Sequence, residues 1–177
     1  MTNDIRLISP SQLEEWLKQQ GEPRFRAGQI SEWIWQKQAL SFDEMTNLPL
    51  ALREKGKAEF VFRPIEEDFV QTSRDGTIKS RFKLHDGHMI ESVLIPVPDE
   101  KRFTACVSSQ VGCSLACKFC ATGMMGRIRN LDFPEIYDQV VRVNRQALEH
   151  FGHPLTNIVY MGMGEPLLNY SKTLRSI

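Results

Sequence analysis

Three cysteines, Cys113, Cys117 and Cys120, fall within one short run, Val-Gly-Cys-Ser-Leu-Ala-Cys-Lys-Phe-Cys. Three thiolates spaced three and then two residues apart can meet at one metal centre, and thiolates are the usual ligands of iron–sulfur clusters. Three of them can hold three irons of a four-iron cluster and leave the fourth open. An open iron can bind a small molecule and pass it an electron, just as a catalytic zinc keeps one position free where a structural zinc closes its shell.

A second group follows some forty residues on, Gly162-Met163-Gly164-Glu165-Pro166-Leu167. A glycine pair after a strand lets backbone approach a ligand closely. A carboxylate there can accept hydrogen bonds from an ammonium group. Alone, this is also what an ordinary strand-to-helix turn looks like. Between Lys101 and Leu131 there is no acidic residue, whereas Lys101, Arg102, Lys118, Arg127 and Arg129 are all basic. This local excess reads equally as a phosphate-binding patch or as a solvated loop. The four histidines, His85, His88, His150 and His153, have no ligand spacing, and the last two sit at a helix end where positive charge suits the dipole.

The bulk numbers restrict the setting. The 177 residues are 41% hydrophobic and 25% charged, as in a globular protein. No apolar run approaches the ~20 residues of a membrane helix, and the first residues lack the pattern of a signal peptide. The expected compartment is the cytoplasm, with no membrane partner. All four cysteines lie between Cys106 and Cys120, which argues against a disulfide framework and for metal or redox chemistry. With 22 basic and 22 acidic residues the net charge is zero, so global charge does not point to nucleic acid.

The fold expected is α/β, in three parts. Residues 1–59 read as a helical accessory domain. Ser9-Pro10-Ser11-Gln12 forms a capping box with proline at the first helical position. Leu13, Trp16 and Leu17 follow at helical spacing, then Ile30, Trp33 and Ile34. Ser41-Phe42-Asp43-Glu44 reads as a second capping box and 49–57 as a further helix. Trp35 lies off the apolar stripe and is expected to be exposed. Residues 60–100 read as a small antiparallel meander and linker. Its strands are Phe60–Phe62, Phe69–Thr72, Ser80–Leu84 and Met89–Ile95, with Asp75-Gly76 and Asp86-Gly87 as hairpin turns and Pro96 and Pro98 as linker. Residues 101–177 read as the opening of a parallel βαβ domain. A strand at 103–109 leads into the cysteines. Asp132, Pro134 and Glu135 start a long helix with Ile136, Val140, Val143 and Ala147 buried. Asn157–Met161 is expected to be a buried strand. One βαβ unit cannot cover both its sheet faces, so the chain is expected to be the N-terminal part of a larger protein.

The two groups together carry a resemblance. Cysteines at this spacing after one strand and Gly-Glu-Pro after the next resemble the radical S-adenosylmethionine enzymes. The longer strings Cys106-Val-Ser-Ser-Gln-Val-Gly-Cys113-Ser-Leu-Ala-Cys117-Lys-Phe-Cys120 and Val159-Tyr-Met-Gly-Met-Gly-Glu165-Pro-Leu-Leu-Asn-Tyr are similar to the RlmN-type adenosine C2 RNA methyltransferases. Phe25-Arg-Ala-Gly-Gln-Ile-Ser-Glu-Trp-Ile-Trp and Phe42-Asp-Glu-Met-Thr-Asn-Leu resemble that family's RNA-binding accessory domain. The resemblance implies a partial (βα) barrel, truncated here, with Cys113, Cys117 and Cys120 holding a [4Fe-4S] cluster. It implies that S-adenosylmethionine sits on the open iron, with Gly164 and Glu165 near its amino group and Phe119 near its adenine. Electron transfer to the sulfonium would generate a 5′-deoxyadenosyl radical. Cys106 matches a thiol that resolves a protein–RNA adduct by disulfide formation, and Glu91 matches a general base. Implied partners are 23S rRNA, tRNA and a flavodoxin-type electron donor, with the protein a monomer.

The family's methyl-carrying cysteine has no counterpart here, because no cysteine follows Cys120. Two other readings therefore stand beside the first: a related adenosine C8 methyltransferase, and an inactive metal- or RNA-binding fragment. In the last, Cys106 would close a four-cysteine zinc site and Glu91 would be an ordinary solvent-facing strand residue.

Overall fold

The computed structural model describes residues 3–177. The chain divides into two compact units, Met1–Arg63 and Pro64–Ile177. The expected division into 1–59, 60–100 and 101–177 differs from this, because the meander and the βαβ segment share one sheet. No described helix is long and apolar enough to cross a membrane.

The first unit begins with strand β1 (Asn3–Asp4) and holds helices α1 (Pro10–Gln19), α2 (Arg26–Trp35) and α3 (Leu50–Glu59), followed by strand β2 (Phe60–Val61). The expected capping box starts α1: Gln12 N–H donates to Ser9 Oγ, and Ser9 N–H donates to Gln12 Oε1. Leu13, Trp16, Leu17, Ile30 and Ile34 form the core with Phe42, Met45 and Leu52. Three expectations fail in this unit. Ser41–Glu44 starts only a single turn of 3₁₀ helix, because Glu44 turns back to accept from Leu40 N–H and Ser41 Oγ. Trp35 is half-buried against the core rather than exposed. Phe60–Val61 pairs in parallel with β1 instead of joining the meander. Asp4 anchors that pairing: buried with Arg6 at 2.9 Å, it also accepts Arg63 N–H at 3.1 Å.

The second unit is built on a five-stranded sheet. Its elements are β3 (Glu66–Thr72), β4 (Ile78–Lys83), β5 (Met89–Val97), β6 (Arg102–Cys106), β7 (Gln110–Val111), α4 (Ala121–Met124), β8 (Arg129–Asn130), α5 (Phe133–Phe151), β9 (Asn157–Val159) and α6 (Tyr170–Arg175). The sheet order is β3-β4-β5-β6-β9. The first four strands are antiparallel neighbours, and α5 carries the chain back so that β9 lies parallel to β6. Both Asp-Gly turns form as expected, Gly76 and Gly87 each having φ of 85°.

Pro96 and Pro98 do not make a linker. Strand β5 runs on through Pro96, beyond Leu94 where its ladder with β4 ends, so no β4 partner lacks the proline's missing N–H. A tight turn at Pro98–Glu100 then leads directly into β6.

Alternation sorts the sheet into two faces. Ile78, Phe82, Ile90, Leu94, Phe103 and Ala105 point to a core closed by Ile136, Val143 and Ala147 of α5. Polar contacts reinforce this layer: Ser92 Oγ donates to Gln139 Oε1 at 2.7 Å and Gln146 Nε2 donates to Ser80 Oγ at 2.7 Å. Helix α5 starts with Asp132 N–H donating to Glu135 and ends at Gly152 in a left-handed conformation. Strand β9 is not buried as expected: it is the sheet edge, and Ile158 is exposed.

Candidate functional site

The cysteine loop leaves β6 at its C-terminal end. Strands β7 and β8 clamp the root of that loop as a short antiparallel pair, Gln110 with Asn130 and Val111 with Arg129. At this root Gly112 has φ of 74°, and a Cβ there would lie 1.8 Å from the carbonyl oxygen of Gly126. Only glycine fits where two backbones approach so closely. Cys113 is buried just past the clamp, Cys117 and Cys120 are half-buried, and all four cysteines are free thiols. Phe119 is 92% exposed.

The loop after β9 is stitched to the loop after β6. Ser109 N–H and Gln110 N–H both donate to Met163 O, at 2.9 and 3.1 Å, and Gly162 N–H donates to Val107 O at 3.0 Å. Gln110 Oε1 accepts Glu165 N–H at 3.0 Å while its Nε2 donates to Asn130 Oδ1 at 2.7 Å. Gly164 has φ of 95°, and a Cβ on it would lie 2.5 Å from the Gln110 side chain. The carboxylate of Glu165 accepts Leu167 N–H at 3.0 Å. Asn169, buried, donates to Ser109 O and Leu131 O at 2.8 and 2.9 Å. Thus Gly164 and Glu165 share one rim with the segment that leads to Cys113.

Beneath this rim lies a buried hub. Ser108 Oγ donates to Glu91 O at 2.6 Å and accepts Met163 N–H at 2.9 Å. Ser108 N–H donates to Gln139 Oε1 at 2.8 Å, and Gln139 Nε2 returns a bond to Ser108 O at 3.0 Å. One serine and one glutamine thereby tie β5, the loop after β6, the loop after β9 and α5 together. Neither residue was singled out from sequence. The available signal was a glutamine bordering the apolar stripe of a helix.

Cys106 and Glu91 occupy the sheet face opposite the core. Val93 is the direct partner of Cys106, and Glu91 lies two residues along the same strand. Such diagonal neighbours stand about 7–8 Å apart. Glu91 Oε2 pairs with Lys79 Nζ at 2.9 Å, both half exposed. Burial pushes the Cys106 thiol above its usual range, against a backbone hydrogen bond from Met161 that pulls it down.

The basic run does not form one patch. Lys101 and Arg102 precede β6 or open it, whereas the cysteine loop leaves its other end, about 13 Å away at ~3.3 Å per residue. Arg129 is held by Glu135 at 2.8 Å and by Asp86 at 2.6 Å, so it serves structure. Arg127 and Lys118 are exposed.

Among the described residues, no three His, Cys, Asp or Glu side chains converge on a single ion. A four-iron cluster makes a different demand, since each thiolate binds its own iron. Three free thiols on one loop, rooted by a backbone clamp next to a glycine-containing loop, fit such a group.

Comparison with known proteins bears on the fold and the family. The structure superposes on a radical SAM methyltransferase from Sphaerobacter thermophilus with a TM-score of 0.82 and 45% identity, covering 98% of this chain and 50% of that one. The fold is thus that of the radical S-adenosylmethionine methyltransferase class. Residues 4–61 match the ribosomal RNA large subunit methyltransferase N-terminal domain. The chain is 54% identical over 173 residues to the probable dual-specificity RNA methyltransferase RlmN of Cytophaga hutchinsonii, covering 98% of this chain and 47% of the relative. It is 50% identical over 174 residues to the corresponding protein of Christiangramia forsetii, covering 98% and 49%. These matches support an N-terminal portion of an RlmN-type protein, and the chain spans about half the length of the curated relatives it matches.

Proposed function

We propose that this chain carries the cluster-binding half of a radical S-adenosylmethionine RNA methyltransferase that methylates C2 of adenosine in 23S rRNA and tRNA. The observation that carries the proposal is the stitching of the Val107–Gln110 segment, which leads into the cysteine loop, to the Gly162–Glu165 loop at the ends of two adjacent parallel strands. Ligands bind at that end of parallel sheets. When bound, the cluster and S-adenosylmethionine supply one-electron chemistry and the methyl group.

In this reading Cys113, Cys117 and Cys120 hold the cluster. The carbonyl groups around Gly164 and the carboxylate of Glu165 would accept hydrogen bonds from the methionine ammonium, and Phe119 would serve the adenine. Glu91, whose Oε2 pairs with Lys79 on the exposed sheet face in the free protein, would take a proton from the RNA adduct. The Cys106 thiol on the same sheet face, raised by burial, would give up its proton and form a disulfide with the adduct sulfur; the broken sulfur–carbon bond would leave its electron pair on the carbon, which takes a proton to become the product's methyl group. The methyl-carrying cysteine belongs to a segment outside this sequence. A flavodoxin-type donor supplies electrons, the protein works as a monomer in the cytoplasm, and the first unit binds RNA.

The test is anaerobic reconstitution with iron and sulfide, followed by metal and sulfide quantitation and electron paramagnetic resonance. Expected are about four irons per chain and a spectrum that shifts when S-adenosylmethionine is added. Stoichiometric zinc without an iron signal would overturn the proposal.

A further inference from the structure

The open face of the five-stranded sheet has a composition that the cluster chemistry does not use. On β4 the inward residues Ile78, Ser80 and Phe82 alternate with the outward residues Lys79, Arg81 and Lys83, so one face of this strand is wholly basic. Phe69, directly across from Arg81, is 56% exposed. A core position does not explain it, since the ring lies on the face away from α5. The Arg81 guanidinium stands 5.7 Å from the ring centroid. Phe69, Gln71, Lys79, Arg81 and Glu91 line an open cleft of about 140 Å³.

Register connects this cleft to the reacting groups. One cross-strand row runs Phe69, Arg81, Glu91. The next runs Gln71, Lys79, Val93, Cys106. At ~4.8 Å per strand, Phe69 stands about 10 Å from Glu91 along its row. An aromatic ring flanked by cations and one amide is the set that takes unpaired nucleotides: the ring stacks a base, the cations meet phosphates, and the amide reads a base edge. The ion pairs of Arg81 with Asp68 and Lys79 with Glu91 are half exposed. Such pairs hold little energy and yield readily to phosphate.

We propose that the sheet face around Phe69 and the β4 cations is a subsite for single-stranded RNA, stacking a nucleotide beside the one presented to Glu91 and Cys106. It rests on the RNA methyltransferase reading and adds a specific path for the substrate strand. Duplex RNA does not fit this role, because its bases are already stacked and paired.

The test is fluorescence anisotropy of this chain with a labelled single-stranded oligoribonucleotide of about ten nucleotides, over a range of salt concentrations. Phe69→Ala is expected to weaken binding at least about fivefold with the salt slope unchanged. Lys79→Gln, Arg81→Gln and Lys83→Gln together are expected to flatten the slope of log K against log salt by about two. Phe69→Trp keeps a stacking surface and is expected to retain binding, which separates stacking from folding damage. If neither set of substitutions alters binding, or only one does, the subsite is wrong while RNA binding elsewhere stands. If the unmodified chain binds no single-stranded RNA, the subsite is also wrong. The methyltransferase reading is judged separately, by the cluster and its response to S-adenosylmethionine.

Discussion

Gln110 Oε1 accepts the backbone N–H of Glu165 at 3.0 Å, so a glutamine three residues before Cys113 helps set the position of Glu165 on the neighbouring loop. Its other amide end is fixed by Asn130, on the strand that closes the cysteine loop. Replacing Gln110 with alanine removes both bonds. At about 1–1.5 kcal/mol for a hydrogen bond of this kind, S-adenosylmethionine affinity of the reconstituted protein should fall about tenfold. Equilibrium dialysis checks this, with iron content as the control expected to stay unchanged.

Gln139 is fully buried and bonds Ser92, Ser108 and Glu135 O. Gln139→Leu leaves the Ser108 N–H and C=O without partners in the core. The cost should be about 2–4 kcal/mol, visible as a lower midpoint in denaturant with the slope unchanged. The loops after β6 and β9 should also lose hydrogen-exchange protection together, because Ser108 joins them.

Arg129 lies between Glu135, 5% exposed, and Asp86. Arg129→Met leaves a buried carboxylate without its cation and should destabilise the protein by about 3 kcal/mol. The same cluster makes an acid-side prediction. Burial alone would raise the Asp86 carboxyl, but hydrogen bonds from Arg129 and the His88 N–H outweigh it and hold the group below its usual range. A carboxyl depressed in the folded state adds stability above its unfolded pKa of about 4, and that contribution is lost as pH falls through the lower folded value. Stability of Asp86→Asn should therefore be less pH-dependent below about pH 4 than that of the parent.

The Cys106 thiol is raised by burial. Its thiolate should consequently form at higher pH in the folded chain than in the unfolded one. Iodoacetamide labelling of Cys106, followed by peptide mass, should show a pH–rate profile displaced upward when native. Denaturant should shift the profile back to that of an ordinary cysteine. A native profile lying below the denatured one would contradict the burial argument.

The chemistry was more legible in the sequence than its support. The cysteine spacing stands out by itself and the Gly-Glu-Pro turn only in company with it, and the structure joins the loops that carry them. The caps of α1 and α5 and both Asp-Gly hairpins were readable because local hydrogen bonds decide them. Phe60–Val61 was misassigned because its partner, β1, is nearly sixty residues away and no local pattern encodes that pairing. Pro96 suggested a break because its tolerance depends on where the neighbouring ladder ends, a tertiary fact. Ser108, Gln110 and Gln139 look like ordinary polar residues until burial and direction are known. The charge count around the cysteines left two readings open for a similar reason, since Arg129 is neutralised by Asp86 and Glu135 from elsewhere in the chain.

Ser80 and Ser92 face each other across β4 and β5, and Gln146 and Gln139, seven residues apart on α5, each reach down to one of them. Seven residues span about 10.5 Å of helix axis. An oily interface alone would let α5 slide or rotate by a turn at modest cost, since methyl groups have no preferred partners. Two polar contacts at fixed separation remove that freedom, as two dowels fix a joint that one would allow to pivot. Hydrophobic positions around them can drift through many combinations without disturbing the alignment of the helix. A library that randomises the apolar contacts of α5 while keeping these four residues should yield many folded variants. One that keeps the apolar set and replaces both glutamines with leucine should yield less stable proteins whose helix has lost its single seating.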